Sequence, residues 1–190
     1  MFTSKMMSEN AADGGATQDT ICFAELSGGM VVIRVSGRGT FANSVEFKKL
    51  TDLLADRLGA DEYRFILDLD DCATMDSTFM GVLASVGLRQ KKSCGEKMAV
   101  VNANEQCCKL LTTLGLSFFL DVRPCGQSSV PDVDSSSFKT AQAQQVSKTD
   151  RIIHMIEAHQ NLCDIQSENT VRFDSVLKYL DESLRREQGK

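Results

Sequence analysis

Ser77, set between Asp76 and Thr78 behind a short apolar run, is the residue whose type and setting offer chemistry. It opens an apolar helix. A helix start presents unpaired N–H groups and the positive end of the macrodipole, so it accommodates added negative charge. A phosphate on this hydroxyl would bring about −1.5 to −2 charges beside Asp76 and near Asp70 and Asp71 without breaking the fold. The dipole contributes roughly 0.3–1 kcal/mol, whereas like charges meeting at an interface cost several, so a docking surface should feel the change more than the fold does. The plainer alternative is that Ser77 is an N-cap and Asp76 a charge favoured at a helix start.

Other chemistries find weaker support. His154 and His159, the two histidines, lie five residues apart, which does not put both on one helix face. They read as surface or edge residues rather than metal ligands, and neither forms with Ser77 a nucleophile and base pair visible in the sequence. Asp68, Asp70 and Asp71 offer carboxylates for magnesium, but Asp68 continues a strand and the other two suit a turn. Gly37-Arg38-Gly39 lacks the spacing of a phosphate-binding loop. Cys22, Cys72, Cys94, Cys107, Cys108, Cys125 and Cys163 form no C-x-x-C pair, which argues against a zinc site or a disulfide framework and for reduced thiols. The expectation is a protein that is not an enzyme, with no catalytic residues, no metal and no cofactor.

The elements that must position Ser77 follow from periodicity. Phe65, Ile66 and Leu67 form a continuous apolar run within a strand from Arg64 to Leu69, the mark of a strand covered on both faces. Phe79, Met80, Val82, Leu83, Val86 and Leu88 surround the next helix, so only its first turn is expected to reach water. Before them, Ile21 to Leu26 and Met30 to Ser36 read as a hairpin, and Gly37 to Thr40 as a turn. Ser44 is a candidate cap for a helix to Leu58, with Phe47, Leu50, Leu54 and Leu58 as its stripe and Gly59 at its end. After them come a strand from Lys97 to Val101, a helix from Asn104 to Leu114 closed by Gly115, and a last short strand from Phe118 to Leu120. The order β β α β α β α β predicts an α/β fold, a mixed sheet covered by helices.

The run Leu67-Asp68-Leu69, then Asp76 to Leu83, then Gly95 and Gly115-Leu116, resembles a STAS domain of the anti-sigma factor antagonist (anti-anti-sigma factor) family over the first two thirds of the chain. The resemblance implies a STAS-like sheet. It also implies a cytoplasmic partner-switching protein acting in transcription regulation, which binds an anti-sigma factor that is also a serine kinase. Ser77 is then the phosphorylation site, Asp76 its signature neighbour, and a PP2C-type phosphatase the enzyme that resets it. Asp76, Thr78, Phe79 and Met80 form the implied partner-binding set. Thr78 and Phe79 stand where the family often has a second serine and a glycine, so bulky Phe79 is expected to reshape the docking surface. Two alternatives are a STAS subunit of a lipid or anion transport complex and a small-ligand or nucleotide sensor.

With 190 residues, 42% hydrophobic and 25% charged, the chain has room for one domain and an appendage. Its net charge of −5 and scattered basic pairs argue against nucleic acid as a partner. The start lacks a signal peptide's apolar run and no stretch is apolar enough to span a membrane, so a cytoplasmic protein is expected. We divide the chain into a disordered leader (1–19), the STAS domain (20–122), a polar linker (123–147) and a C-terminal helical hairpin (148–190). In the hairpin Ile152, Ile153, Ile156 and Leu162 form one stripe, Val171, Val176, Leu177, Leu180 and Leu184 another, and Ser167 is a candidate cap. Helices of this length need tertiary burial. They are expected to pack on this domain, on a second copy as a homodimer, or on another protein.

Overall fold

The long apolar runs become the centre of a seven-stranded mixed sheet. The structure, a computed structural model, describes residues 18–59, 62–127, 130–143 and 145–189. Most of the expected disordered leader, residues 1–17, lies outside the described residues, while Asp19 pairs with Arg38. Strands β1 (Thr20–Glu25) and β2 (Met30–Gly39) form an antiparallel hairpin. Helix α1 (Phe41–Leu58) leads to β3 (Arg64–Asp68), which pairs parallel with β2, and then to β4 (Cys72–Met75). Helix α2 (Ser77–Cys94) is followed by β5 (Met98–Ala103), α3 (Glu105–Thr113) and β6 (Leu120–Pro124). Then come β7 (Lys139–Thr140), α4 (Lys148–Cys163) and α5 (Ser167–Glu187). The strand order is β6-β5-β3-β2-β1-β7, with β4 alongside the end of β2.

The expected α/β class and mixed sheet are present, and the pattern of burial explains them. Phe65 and Leu67 are fully buried at the centre of the sheet, against Phe47 and Leu54 of α1 and Phe79 and Leu83 of α2. Several local expectations need correction. The segment Gly37 to Thr40, expected as a turn, continues β2 as far as Gly39, because Gly37 and Gly39 pair with Cys72 and Met75 of β4. Thr40 rather than Ser44 caps α1: its hydroxyl accepts from the Ala42 N–H, and the Asn43 side chain accepts from the Thr40 N–H at 2.8 Å. The last strand starts at Leu120, since Leu116–Phe118 forms a 3-10 turn. In the polar segment 123–147, β7 pairs with β1, and the Arg34 guanidinium lies 4.5 Å from the centre of the Phe138 ring.

The hairpin docks on this chain's own sheet-and-helix layer. Ala158, Leu162 and Phe173 join the main core, whereas Ile152, Ile156 and Leu180 form a smaller cluster between α4 and α5. At the turn between those helices Asn169 is fully buried, and its side-chain amide donates to the carbonyls of Leu114 (3.1 Å) and Leu162 (2.8 Å). Gln166 donates to the Thr113 carbonyl at 3.0 Å. These bonds add donors to carbonyls at the C-terminal ends of α3 and α4, where the helix itself supplies few.

Candidate functional site

The site forms where two helices begin. Asp76, not Ser77, is the N-cap of α2: one carboxylate oxygen accepts from the Phe79 N–H at 2.9 Å. The other accepts from the Phe41 N–H at 2.7 Å, so a single carboxylate serves the positive ends of both α1 and α2. The strand end holds this corner in place. The Asp76 N–H donates to the Gly39 carbonyl at 2.8 Å, and a Cβ on Gly39 would lie 2.8 Å from the Phe79 ring. Only glycine admits that approach. Ser77 is thereby fixed as the first helical residue of α2, half-buried, behind the central strands.

Helix α4 lies over this corner. It crosses α2 backbone to backbone, since a Cβ on Gly81 would fall 2.1 Å from the Ala158 carbonyl oxygen. Close beside the crossing, His159 Nε2 lies 2.9 Å from Ser77 Oγ, and His159 Nδ1 lies 2.7 Å from the Met155 carbonyl oxygen. A carbonyl can only accept, so Nδ1 carries the hydrogen and Nε2 of the neutral ring presents a lone pair. The Ser77 hydroxyl therefore donates to His159. The edge of the His159 ring packs against Phe173 of α5, with ring centres 5.1 Å apart.

The second histidine makes a matching contact at the other helix start. His154 Nε2 lies 2.8 Å from Ser44 Oγ. The Ser44 hydroxyl donates to the Phe41 carbonyl at 3.0 Å, so here the histidine is the donor. Burial holds the His154 pKa below the usual imidazole value, with Lys48 adding to that shift and Glu157 opposing it. The expectation that both histidines lie at a surface or edge is thus overturned: they are 8% and 4% exposed. Facing opposite ways around α4, each reaches a different serine.

The expected site residues divide by burial. Asp76 and Ser77 are half-buried, while Thr78, Phe79 and Met80 are 4%, 0% and 3% exposed. Phe79 does not shape a docking surface; its ring stacks on Phe47 at 5.1 Å in the core. The absence of a serine and base pair, as read from the sequence, is also corrected, because Ser77 and His159 meet across 82 residues of chain. Behind Ser77, the Phe79 N–H bonds the Asp76 carboxylate and the Met80 N–H bonds the Asp76 carbonyl. Asp68 is committed as well: it pairs with Arg34 at 2.9 Å and accepts from Asn102 at 2.9 Å and from the Asp70 N–H at 3.2 Å. Among the described residues, no cluster of histidine, cysteine and carboxylate side chains is placed to hold a metal, and no helix is long and apolar enough to cross a membrane.

A buried parallel strand leading into a helix that starts with Asp76-Ser77, on a mixed sheet flanked by helices, defines a class. The STAS domain family model matches residues 24–139, and the chain belongs to the STAS domain family. To the mixed sheet and its helices the chain adds a C-terminal helical pair. Among solved structures it is similar to a putative anti-sigma factor antagonist from Thermotoga maritima, at 21% identity and a TM-score of 0.47 over 53% of this chain and 83% of that one. An anti-sigma factor antagonist from Mycobacterium paratuberculosis gives 16% identity and a TM-score of 0.48 over 56% and 86%. The murine Solute Carrier 26 family member A9 anion transporter gives 16% and 0.44 over 58% of this chain and 21% of the transporter. The comparison with curated proteins found no match.

Proposed function

We propose that this chain is a cytoplasmic, phosphorylation-switched protein-binding module of the anti-sigma factor antagonist kind, and not an enzyme. With Ser77 unmodified it binds an anti-sigma factor that is also a serine kinase. Phosphorylation of Ser77 by that kinase ends the interaction, and a PP2C-type phosphatase restores it. The observation that supports this most is the setting of Ser77: a half-buried hydroxyl at the first helical position of α2, beside the carboxylate that caps two helices. Charge added there changes the electrostatics of a corner shared by α1 and α2 while the buried strand β3 stays in place. Of Asp76, Ser77, Thr78, Phe79 and Met80, the first two are half-buried and the rest are buried. The free thiols of the seven cysteines suit a reducing compartment.

The test is intact-mass measurement after incubation of the purified chain with ATP and an extract of the source cells. The reading expects one phosphate on the wild-type chain and none on Ser77→Ala. A wild-type chain that stays unmodified, or a Ser77→Ala chain that still gains the phosphate, contradicts it.

A further inference from the structure

We infer that the α4–α5 hairpin is a latch that completes the docking surface of the unmodified chain: it lies over the Ser77 face of α2, and a phosphate on Ser77 expels it. The inference rests on the phosphorylation of Ser77 proposed above and concerns how that site is regulated.

Three features of the closed arrangement carry it. The hydroxyl that would receive a phosphoryl group is occupied, donating to His159 of α4 at 2.9 Å. The ring that receives this bond is held by its own backbone, since Nδ1–H donates to the Met155 carbonyl, so a lone pair rather than an N–H faces Oγ. Finally, α4 cannot move closer or slide easily to make room, because Gly81 and Ala158 are already in backbone contact.

Transfer of the phosphoryl group replaces the one hydrogen that joins the two helices. The bond from Ser77 Oγ to phosphorus forms as the bond from the γ-phosphorus to the β,γ-bridging oxygen of ATP breaks. ADP leaves with that electron pair, and the hydroxyl proton passes to a base of the kinase. A phosphoryl group carrying about −1.5 to −2 charges must then fit where the Ser77 oxygen and the His159 ring stand 2.9 Å apart, beside the Asp76 carboxylate, in a half-buried crevice with no room for it. The Phe79 and Phe41 amides that would otherwise welcome an anion are already bonded to Asp76. The hairpin is the part able to leave: it packs on α2 from outside, whereas β3 is held in the sheet between β2 and β5.

Hydrogen exchange on the full chain with phosphoserine genetically encoded at position 77 tests this without a kinase. Exchange of the α4 amides should accelerate at least about tenfold over the unmodified chain, while those of β3 stay protected. Ser77→Ala removes one hydrogen bond and leaves the helix crossing intact, so its α4 amides should accelerate by less than about tenfold. Unchanged α4 protection in the phosphoserine chain overturns the latch. Increased α4 protection does too, since it would mean that phosphate and histidine clamp the hairpin shut, and so does equal loss of protection in β3. Failure of the underlying switch shows separately, as the absence of phosphate on Ser77 in the ATP and extract experiment. It leaves the exchange result for the phosphoserine chain readable.

Discussion

Replacing Gly81 with alanine tests the contact that seats α4 on α2. In an exposed helix interior this change stabilises by about 0.5–1 kcal/mol, because glycine gives up more backbone freedom on folding. Here the added Cβ would stand 2.1 Å from the Ala158 carbonyl oxygen and 2.6 Å from its carbon, and these backbone atoms cannot rotate away. Overpacking of this kind costs about 1–3 kcal/mol, and so short an approach belongs at the top of that range. Full undocking of α4 would instead expose Leu162 and Phe173, at roughly 1.5–3 kcal/mol each, so the helices should splay before they separate. The net expectation is destabilisation of about 2 kcal/mol, or a melting point lower by about 4–8 °C in a chain of this size. Urea unfolding followed by far-ultraviolet circular dichroism, with a thermal melt, measures both. A Gly81→Ala chain as stable as the wild type, or more stable, refutes the reasoning, because helix propensity would then have prevailed at a crossing that is not tight.

Asp76→Ala should cost about 1–2 kcal/mol, since it uncaps α2 and leaves the Phe41 N–H of α1 without its acceptor; Asp76→Asn should restore most of this in the same urea titration. Asn169→Ala strands the Leu114 carbonyl inside the hairpin junction and takes one donor from the Leu162 carbonyl, which keeps the Ile165 N–H; it should lower stability by about 1–3 kcal/mol, and a loss under about 0.5 kcal/mol would show that water replaces the amide. Burial depresses the His154 pKa in the folded chain, in a crevice shared with Lys48 and Asp52 of α1, Arg89 of α2 and Glu157 of α4. The unfolded chain therefore binds that proton more readily. The resulting stability is complete above about pH 6.5 and is lost as pH falls below it. The urea midpoint should drop between about pH 7 and pH 5.5 with a shallower slope in His154→Asn, and equal slopes in the two chains would remove His154 as the cause.

Much of the frame was legible because it is written in local periodicity. The apolar run at Phe65 to Leu67, the near-continuous apolar surface of the helix after Ser77 and the paired stripes of the C-terminal hairpin each set one element and its buried side. What escaped was set by distant partners. Cys72–Met75 has no alternation of its own and becomes a strand because β2 runs on through Gly39 to meet it. Lys139–Thr140 is a strand through its pairing with β1 alone. Thr40 outcompetes Ser44 as a cap because the end of β2 delivers the chain to the helix four residues earlier than the apolar stripe suggests. In the site, the Asp-Ser signature located the start of α2, but the five-residue spacing of the histidines pointed away from a shared role. That spacing instead suits a helix lying between two helix starts, with one ring turned to Ser44 and the other to Ser77. Two histidines set among the apolar stripe residues Ile152, Ile156 and Leu162 were the one signal available in the sequence.

The account turns on whether charge at Ser77 governs docking of another protein. Two immobilised chains, one with serine and one with phosphoserine at position 77, can be exposed to the same extract, and the retained proteins identified by mass spectrometry. The serine chain is expected to retain a serine kinase of the anti-sigma type that the phosphoserine chain loses at least about tenfold. Equal retention of that kinase by both chains, or its capture by the phosphoserine form alone, would contradict the account.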